Sequence, residues 1–437
     1  MIRLRRFFGG GYGVVLENVA ARLAALVSLA AATFIVARTG GPAAVGVYAL
    51  LRVLPGLAGV VISSGLPGAI AYFLSGPERG NRRLPLTVVA MAVVGGAAGT
   101  AVWAGATPLV AGRLFPDLSL PLVFLAGATV FTQLLVATAK SCSQGSDDLR
   151  GANVVIVNEE FMFLPAYGLL WAAGVHGYVA MILALLAADV ATFVWAGIRL
   201  ARRRFFDGAG RPSLALGREV AVYGLRAQVG GVITLMNLRL DFLLLNLLAG
   251  PAVLGVYAIA SKFAELLKVP GMAITYVLYP KFSRQGQARA VETAWQIVGR
   301  AGGVTAAAII PLWLTAGFVI PAVYGDRFDG AVLPARIILL GLALEGLAGV
   351  ITAFLYGIGR PGLNSLAMGA GLAVTVVLDV LLIPPYAATG AAIASAAAYV
   401  ASTIALVWYF WSIGKAKESG RRQEPEPPSA TPAERPA

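Results

Sequence analysis

The residues able to do chemistry in this chain are ionisable groups set inside apolar runs. Arg22 lies about two turns into the first run and Arg52 about two turns into the second. Arg226, Arg239, Asp241, Lys262, Glu265 and Lys268 fall in a later pair of runs. An ionised side chain in a membrane-length helix costs at least about 2.5 kcal/mol on insertion scales, so it is kept facing a cavity or a partner. Cations exceed the nearby acids, and the planar fork of arginine binds phosphate oxygens two at a time. Arg22, Arg52, Arg226, Arg239, Lys262 and Lys268 are therefore candidate ligands for an anionic substrate. Lys262, Glu265 and Lys268 are spaced three apart, so Glu265 neutralises one lysine at a time and positive charge is left over. Asp241 and Glu265 are candidates to bind a coupling proton or sodium ion; structural pairing with Arg239 or Lys262 is the alternative. Glu159 and Glu160 are placed near the inner end of their run, at the membrane interface. Asp189, Glu345 and Asp379 are expected to hydrogen-bond to neighbouring helices.

These groups need long apolar elements to hold them, and composition supplies little else. Of 437 residues, 58% are hydrophobic and 13% charged, and the mean hydropathy is +0.80. A soluble domain carries about 25% charged residues, so an ordinary soluble protein and a disordered one are both excluded. Cys142 and His176 are the single cysteine and histidine, which excludes an internal disulfide and metal sites built on several thiolates or imidazoles. No phosphate-cradling glycine loop with its lysine is present, so nucleotide hydrolysis is not an energy source within the chain. The net charge of +13 sits mostly at the ends of apolar runs, a pattern of membrane orientation and contact with anionic lipid rather than of nucleic-acid binding.

Breakers divide the chain into 12 candidate spans, at 14–37, 45–74, 86–108, 119–141, 152–174, 177–199, 219–249, 253–280, 294–318, 332–357, 362–384 and 390–413. Pro55, Pro67 and Pro270 are candidate kinks in the overlong second and eighth spans. Alternate loops differ sharply in charge. One set carries Arg79, Arg82 and Arg83, then Arg199, Arg202, Arg203, Arg204, Arg211 and Arg218, then Lys415, Lys417, Arg421 and Arg422; the other carries Arg38, Arg113 and Arg327. The excess of Lys and Arg on the inner side predicts that both termini are cytoplasmic. Cys142, at the end of the fourth span, is then expected to face the cytoplasm. The fold class expected is an all-α polytopic bundle: a short N-terminal segment (1–13), a first six-helix lobe (14–199), a basic linker (200–218), a second lobe (219–413) and a disordered tail (414–437).

The halves repeat. Gly41-Pro42-Ala43-Ala44-Val45-Gly46-Val47-Tyr48-Ala49-Leu50 returns as Gly250-Pro251-Ala252-Val253-Leu254-Gly255-Val256-Tyr257-Ala258-Ile259, identical at seven of ten positions. The first and seventh spans run the same way, so the repeat is parallel, an arrangement used by transporters whose site lies between the halves. Tyr48 and Tyr257 are expected at equivalent places. The run Tyr223-Gly224-Leu225-Arg226, then Arg239-Leu240-Asp241, Gly255-Val256-Tyr257, Ala264-Glu265 and Tyr279-Pro280, together with Glu17-Asn18, resembles polysaccharide-biosynthesis flippases. These form the O-antigen translocase (Wzx-like) branch of the MOP superfamily, which also holds the MATE exporters and the lipid II flippase MurJ.

That resemblance implies two lobes around a central cavity in the bacterial inner membrane. It also implies export of an undecaprenyl-diphosphate-linked oligosaccharide, for lipopolysaccharide or exopolysaccharide, by alternating access. The partners implied are the lipid-linked oligosaccharide, membrane lipids, and a glycan polymerase and glycosyltransferases; no nucleic acid and no cofactor beyond a coupling proton or sodium ion is called for. Two other cargos fit less well. A peptidoglycan-precursor flippase carries two additional helices, for which no apolar segment remains. A cation-coupled drug exporter needs an acidic or aromatic cavity, not a basic one. A membrane-embedded glycosyltransferase or polymerase needs an acid/base pair, and the outer loops offer only Asp117, His176, Asp326 and Asp329.

Overall fold

The computed structural model describes residues 11–62, 65–76, 78–268, 278, 282 and 287–421. Pro270, the glycine and tyrosine that follow it in the repeat, and the tail beyond 421 lie outside these residues. Among the described residues twelve helices follow one another: α1 (11–40), α2 (42–62, resumed at Leu66–Ser75), α3 (Leu84–Leu114), α4 (Leu120–Gly145), α5 (Leu149–Ala172), α6 (Gly177–Arg202), α7 (Leu214–Ala249), α8 (from Pro251), α9 (Gln287–Tyr324), α10 (Asp326–Gly357), α11 (361–386) and α12 (388–421). No strand occurs among the described residues.

Two of the hairpins are so tight that helical geometry fails at one residue only. Between α1 and α2 it is Gly41, with φ 71° and ψ −167°. Glycine meets that conformation without the Cβ penalty. Between α11 and α12 it is Ala387, at φ 48°, after Pro384 and Pro385. Side-chain pairs prove the first reversal. Asn18 bonds to Asn153 and Thr39 to Tyr167, so α1 runs with α5. Arg52 pairs with Glu160 and Tyr48 packs on Phe163, so α2 runs against it.

Several helices break where the sequence pattern gave one span. In α2 the break is at Gly65, in a left-handed conformation (φ 73°), and Pro67 sits in the first turn of the resumed helix. Pro55 lies inside the helix before this break, with no residue around it leaving helical geometry. In α4 the chain steps at Gly127, whose missing Cβ leaves room for the Trp103 indole; Trp103 Nε1 donates to the Val123 carbonyl at 2.8 Å. In α10 a short 3-10 stretch, Leu342–Leu344, separates two α-helical segments. Helix α9 is also longer than its apolar run, at 38 residues.

The halves meet at the end of the bundle away from the basic loops. The repeated motif makes this contact with itself. A Cβ on Gly46 would collide with the Pro251 carbonyl, and a Cβ on Gly255 with the Pro42 carbonyl. Tyr48 and Tyr257 are both buried beside this crossing, in one core shared by the two halves. Helix ends are capped across it. Arg38, at the end of α1, donates to the Val323 carbonyl (2.9 Å) and the Ala322 carbonyl (2.6 Å) at the end of α9. Asn246, near the end of α7, donates to the Leu114 carbonyl at the end of α3 (2.9 Å). Each half thus satisfies terminal carbonyls of the other that its own helix leaves open.

At the basic end, the linker is tied to the first half. The Gly210 amide donates to the Arg82 carbonyl (2.7 Å) and the Ser213 amide to Thr87 Oγ1 (3.0 Å). Tyr223 of α7 stacks on Tyr72 with centroids 4.2 Å apart. Cys142 is 2% exposed here. It shares a buried cluster with Leu66, Leu84 and Leu200, so α2, α3 and α6 cover it and it does not face water. Asp148 starts α5: its carboxylate takes the Gly151 amide (3.0 Å) and both arms of Arg199 (2.6 and 2.8 Å). The Arg199 hydrogen bonds and the Gly151 amide hold this carboxyl below the usual carboxylate range, against the opposing effect of burial.

Two outcomes follow from this packing. Gly46→Ala and Gly255→Ala are each expected to destabilise the solubilised protein by about 1–3 kcal/mol, read by thermal unfolding, and the double variant by less than the sum because both push the same backbones apart. Gly56→Ala, where a Cβ meets nothing within 4 Å, is the matched control and should be neutral or mildly stabilising. Asp148→Asn is expected to lower stability by about 3 kcal/mol at neutral pH, since Arg199 is left without its anion. A depressed carboxyl stabilises above its unfolded pKa of about 4 and loses that contribution as pH falls below it. The gap between wild type and variant in a pH series of unfolding should therefore close below about pH 4.

Candidate functional site

Inward from the glycine crossing, between the halves, the tyrosine of the first repeat becomes a platform for charge. Tyr48 precedes Arg52 by one turn of α2, and the Arg52 guanidinium carbon lies 5.9 Å from the ring centroid. Lys262 of α8 reaches across from the other half, with Nζ 5.6 Å from the same centroid, and donates to Thr33 Oγ1 of α1 at 2.6 Å. Two cations from opposite halves thus share one aromatic ring. The acid that answers them is Glu160, which pairs with Arg52 through one oxygen. Its second oxygen is buried without a hydrogen-bond partner, as is the Tyr48 hydroxyl.

Glu160 is 16% exposed at its side chain and belongs to this site rather than to the membrane interface. Helix α5 carries it one turn past Ile156, opposite the inner stretch of α2, and the apolar run alone gave no indication of which face it shows. Glu159, its neighbour, turns to Lys140 at 3.4 Å.

The second half contributes a matching cationic wall. Arg239 of α7 pairs with Glu265 of α8 at 3.8 Å and lies over the Phe242 ring at 5.4 Å. Lys268 lies 4.6 Å from the Tyr399 ring centroid and 3.3 Å from its hydroxyl. Glu265 therefore serves Arg239, not the lysines on its own helix that the spacing put within reach. Of the six candidate anion ligands, Arg239 and Lys268 keep partners of their own, Glu265 and Tyr399, and Arg52 and Lys262 meet at Tyr48. Arg22 does not: it is exposed near the basic end, with Nε on Asn18 Oδ1 at 3.0 Å. Arg226 is likewise exposed, near the start of α7.

Asp241 lies two residues beyond Arg239 and points elsewhere, into the packing of α7 with α8 and α12. It is 5% exposed. The Tyr257 hydroxyl donates to it at 2.5 Å, and Ser395 Oγ lies 3.4 Å from the same carboxylate oxygen. Neither Arg239 nor Lys262 forms an ion pair with it among the described residues. One turn toward the basic end, Asn237 meets α11 and α12 at Gly371: a Cβ there would strike Ser402 Oγ and come within 3.2 Å of Asn237 Oδ1. Asn237 Oδ1, Ser402 Oγ and both carboxylate oxygens of Asp379 are buried without hydrogen-bond partners. Asp379 was expected to bond to a neighbouring helix and does not. Asp189 does, accepting from Thr132 at 2.5 Å. The sequence missed Asn237 and Ser402 entirely, since single polar residues in an apolar run carry no mark of facing one another across three helices.

Solved structures of the same architecture extend over almost the whole chain. An inward-facing conformation of a multidrug resistance MATE family transporter of the MOP superfamily aligns with a TM-score of 0.74 at 15% identity, covering 93% of this chain and 99% of that one. An outward-facing conformation of a multidrug resistance MATE family transporter aligns at 0.66 and 16% identity, covering 93% and 96%. The lipid II flippase MurJ, in an inward closed conformation, aligns at 0.67 and 12% identity, covering 95% and 94%. No curated protein matches the chain by sequence. These likenesses show that the chain has the fold of these transporters, and 8 helices among the described residues are long and apolar enough to cross a membrane. A family model for polysaccharide biosynthesis proteins matches residues 35–333, which run through the repeated motif, Arg52, Glu160 and every charged residue of α7 and α8, and the chain belongs to that family.

Proposed function

We propose that the protein is a flippase that moves an undecaprenyl-diphosphate-linked oligosaccharide from the inner to the outer leaflet of a bacterial cytoplasmic membrane, with both termini in the cytoplasm. The observation that carries this reading is the shared Tyr48 ring, where Arg52 and Lys262 of opposite halves converge and a single carboxylate, Glu160, pairs with Arg52. A diphosphate cannot cross hydrocarbon unaided, because stripping its hydration costs far more than the lipid tail returns. Arg52, Lys262, Arg239 and Lys268 would replace that hydration, with the tail remaining in the bilayer. Glu160 and Glu265 hold the arginines when the site is empty, and an arriving diphosphate competes for the same guanidinium donors. That exchange lets binding be selective without being too tight to release.

The clasp at the far end closes the outer side, and the closer likeness to the inward-facing transporter agrees with a state that loads from the cytoplasm. The deep acidic group suits coupling to protons or sodium. Asp241 and Asp379, with Asn237, Ser395, Ser402 and Tyr257, offer oxygen ligands within the second half, and several have no partner of their own. Glu265, the other coupling candidate, is occupied by Arg239 and fits the role of release better. A membrane-embedded transferase is disfavoured, since none of these groups forms an acid/base pair around an open cleft.

Arg52→Ala and Arg239→Ala are expected to reduce surface polysaccharide at least tenfold in cells that depend on this gene, with membrane abundance by immunoblot near normal. The lysine replacements should retain part of the activity, because charge survives and the bidentate fork does not. Normal export by both alanine variants would overturn the cationic-site reading. In proteoliposomes loaded with undecaprenyl-diphosphate oligosaccharide, Asp241→Asn and Asp379→Asn should abolish the stimulation of flipping by an imposed proton or sodium gradient while leaving cargo binding unchanged. Retained stimulation would exclude these two acids from coupling.

A further inference from the structure

Helix α6 carries two parallel rows of side chains, each spaced at i, i+4, on a wall of the first half that faces away from the second. One row is Val190, Val194 and Ile198, which are 50%, 48% and 49% exposed, and it ends at exposed Arg202. The other is Trp195, Arg199 and Arg203. Around the junction lies a cavity of about 340 Å³ lined by Trp195, Ile198, Arg199, Arg202 and Arg203. The helix itself packs on α4 and α5 of its own half, so this groove is separate from the cationic site between the halves.

The charge in the groove is organised rather than scattered. Arg199 is clamped by Asp148 through Nε and Nη2, and its guanidinium carbon lies 5.7 Å from the Trp195 ring centroid. Arg203 Nε lies 3.7 Å from the same carboxylate. Asp148 is 3% exposed, so the anion that fixes both arginines is turned into the protein. Two of the five N–H donors of Arg199 are used on Asp148, which leaves three for another acceptor. Arg202 forms no ion pair among the described residues. Three guanidinium groups against one buried carboxylate leave a surplus of two positive charges at the rim, and the ordering cost of Arg199 is already met by its clamp on Asp148. From Val190 to Arg202 the helix rises about 18 Å, close to the roughly 15 Å depth of one hydrocarbon leaflet.

We propose that this corner of α6 is a binding site for an anionic glycerophospholipid of the leaflet at the basic end. Its phosphate rests on Arg202 and on the free donors of Arg199 and Arg203, and one acyl chain lies along Ile198, Val194 and Val190. The surplus charge selects a headgroup such as phosphatidylglycerol over phosphatidylethanolamine, whose ammonium would meet the same arginines. Trp195 sits at the boundary between the two parts of the lipid, where an indole is at home.

The test is native mass spectrometry of the full-length protein, released from membrane mimetics containing phosphatidylglycerol, phosphatidylethanolamine or undecaprenyl diphosphate. The wild type is expected to retain phosphatidylglycerol at least fivefold over phosphatidylethanolamine. Arg202→Ala with Arg203→Ala should remove that preference, the two lysine replacements should keep most of it, and undecaprenyl diphosphate retention should not change. Arg202→Ala alone, an exposed substitution, should lower phosphatidylglycerol retention at least twofold even if the double variant proves unstable by thermal unfolding. Unchanged phosphatidylglycerol retention in the Arg202→Ala protein would overturn the proposal. So would a loss confined to undecaprenyl diphosphate, which would make the groove a dock for cargo.

Discussion

A buried charge needs an answer nearby, and in this protein the supply of answers decides the architecture. Arg52 and Lys262 are mostly withdrawn from solvent and share the ring of Tyr48, with Glu160 and Thr33 beside them. Those partners sit on α1, α2, α5 and α8, which fixes the halves against each other at that depth. The same need sets Glu265 against Arg239 and Tyr399 against Lys268. Each of these pairs is half of a possible exchange. A ligand with negative charge can take the cation from its resident partner, and the partner then carries an unpaired charge that favours return. Stability of the empty state and readiness to bind are thus two readings of one set of contacts.

The two repeat tyrosines show how one motif serves two ends. Tyr257 directs its hydroxyl to Asp241 and Ser395 and closes a polar centre within the second half. Tyr48 leaves its hydroxyl unpartnered and presents its ring to cations. The residue one turn on explains the difference. After Tyr48 it is Arg52; after Tyr257 it is Ser261, so no charge is drawn to that ring. Two cations thus gather at the tyrosine of the first repeat, and a buried carboxylate gathers at the tyrosine of the second.

Much of this was legible in the sequence because it rests on patterns that a membrane enforces. Apolar run length placed the helices, and the seven matching positions of the repeat marked the two segments that cross at Gly46 and Gly255, without telling that they touch. What stayed hidden depended on facing. Hydropathy is nearly uniform around these helices, so nothing told that Glu160 looks at Arg52, that Glu265 prefers Arg239 to its neighbouring lysines, or that Asp379 has no bonding partner. Breaks at Gly65 and Gly127 were hidden too, since glycine is common throughout and a break is set by what packs against it, as Trp103 does at Gly127. Cys142 was placed by its distance from a charged loop, but side chains of α2, α3 and α6 bury it.

The glycine crossing has a history written into its symmetry. Gly46 meets Pro251 while Gly255 meets Pro42, so each partner offers the other the same surface. That is an isologous contact, the kind two identical subunits make about a twofold axis. A six-helix polypeptide bearing the motif once would meet a copy of itself through the same glycine and the same proline carbonyl. Fusion of two such copies would keep the contact and free the remaining surface of each to diverge. Divergence is what the tyrosines, the lone Glu160 and the acidic centre of the second half record, whereas the bare backbone at the crossing has no side chain with which to change.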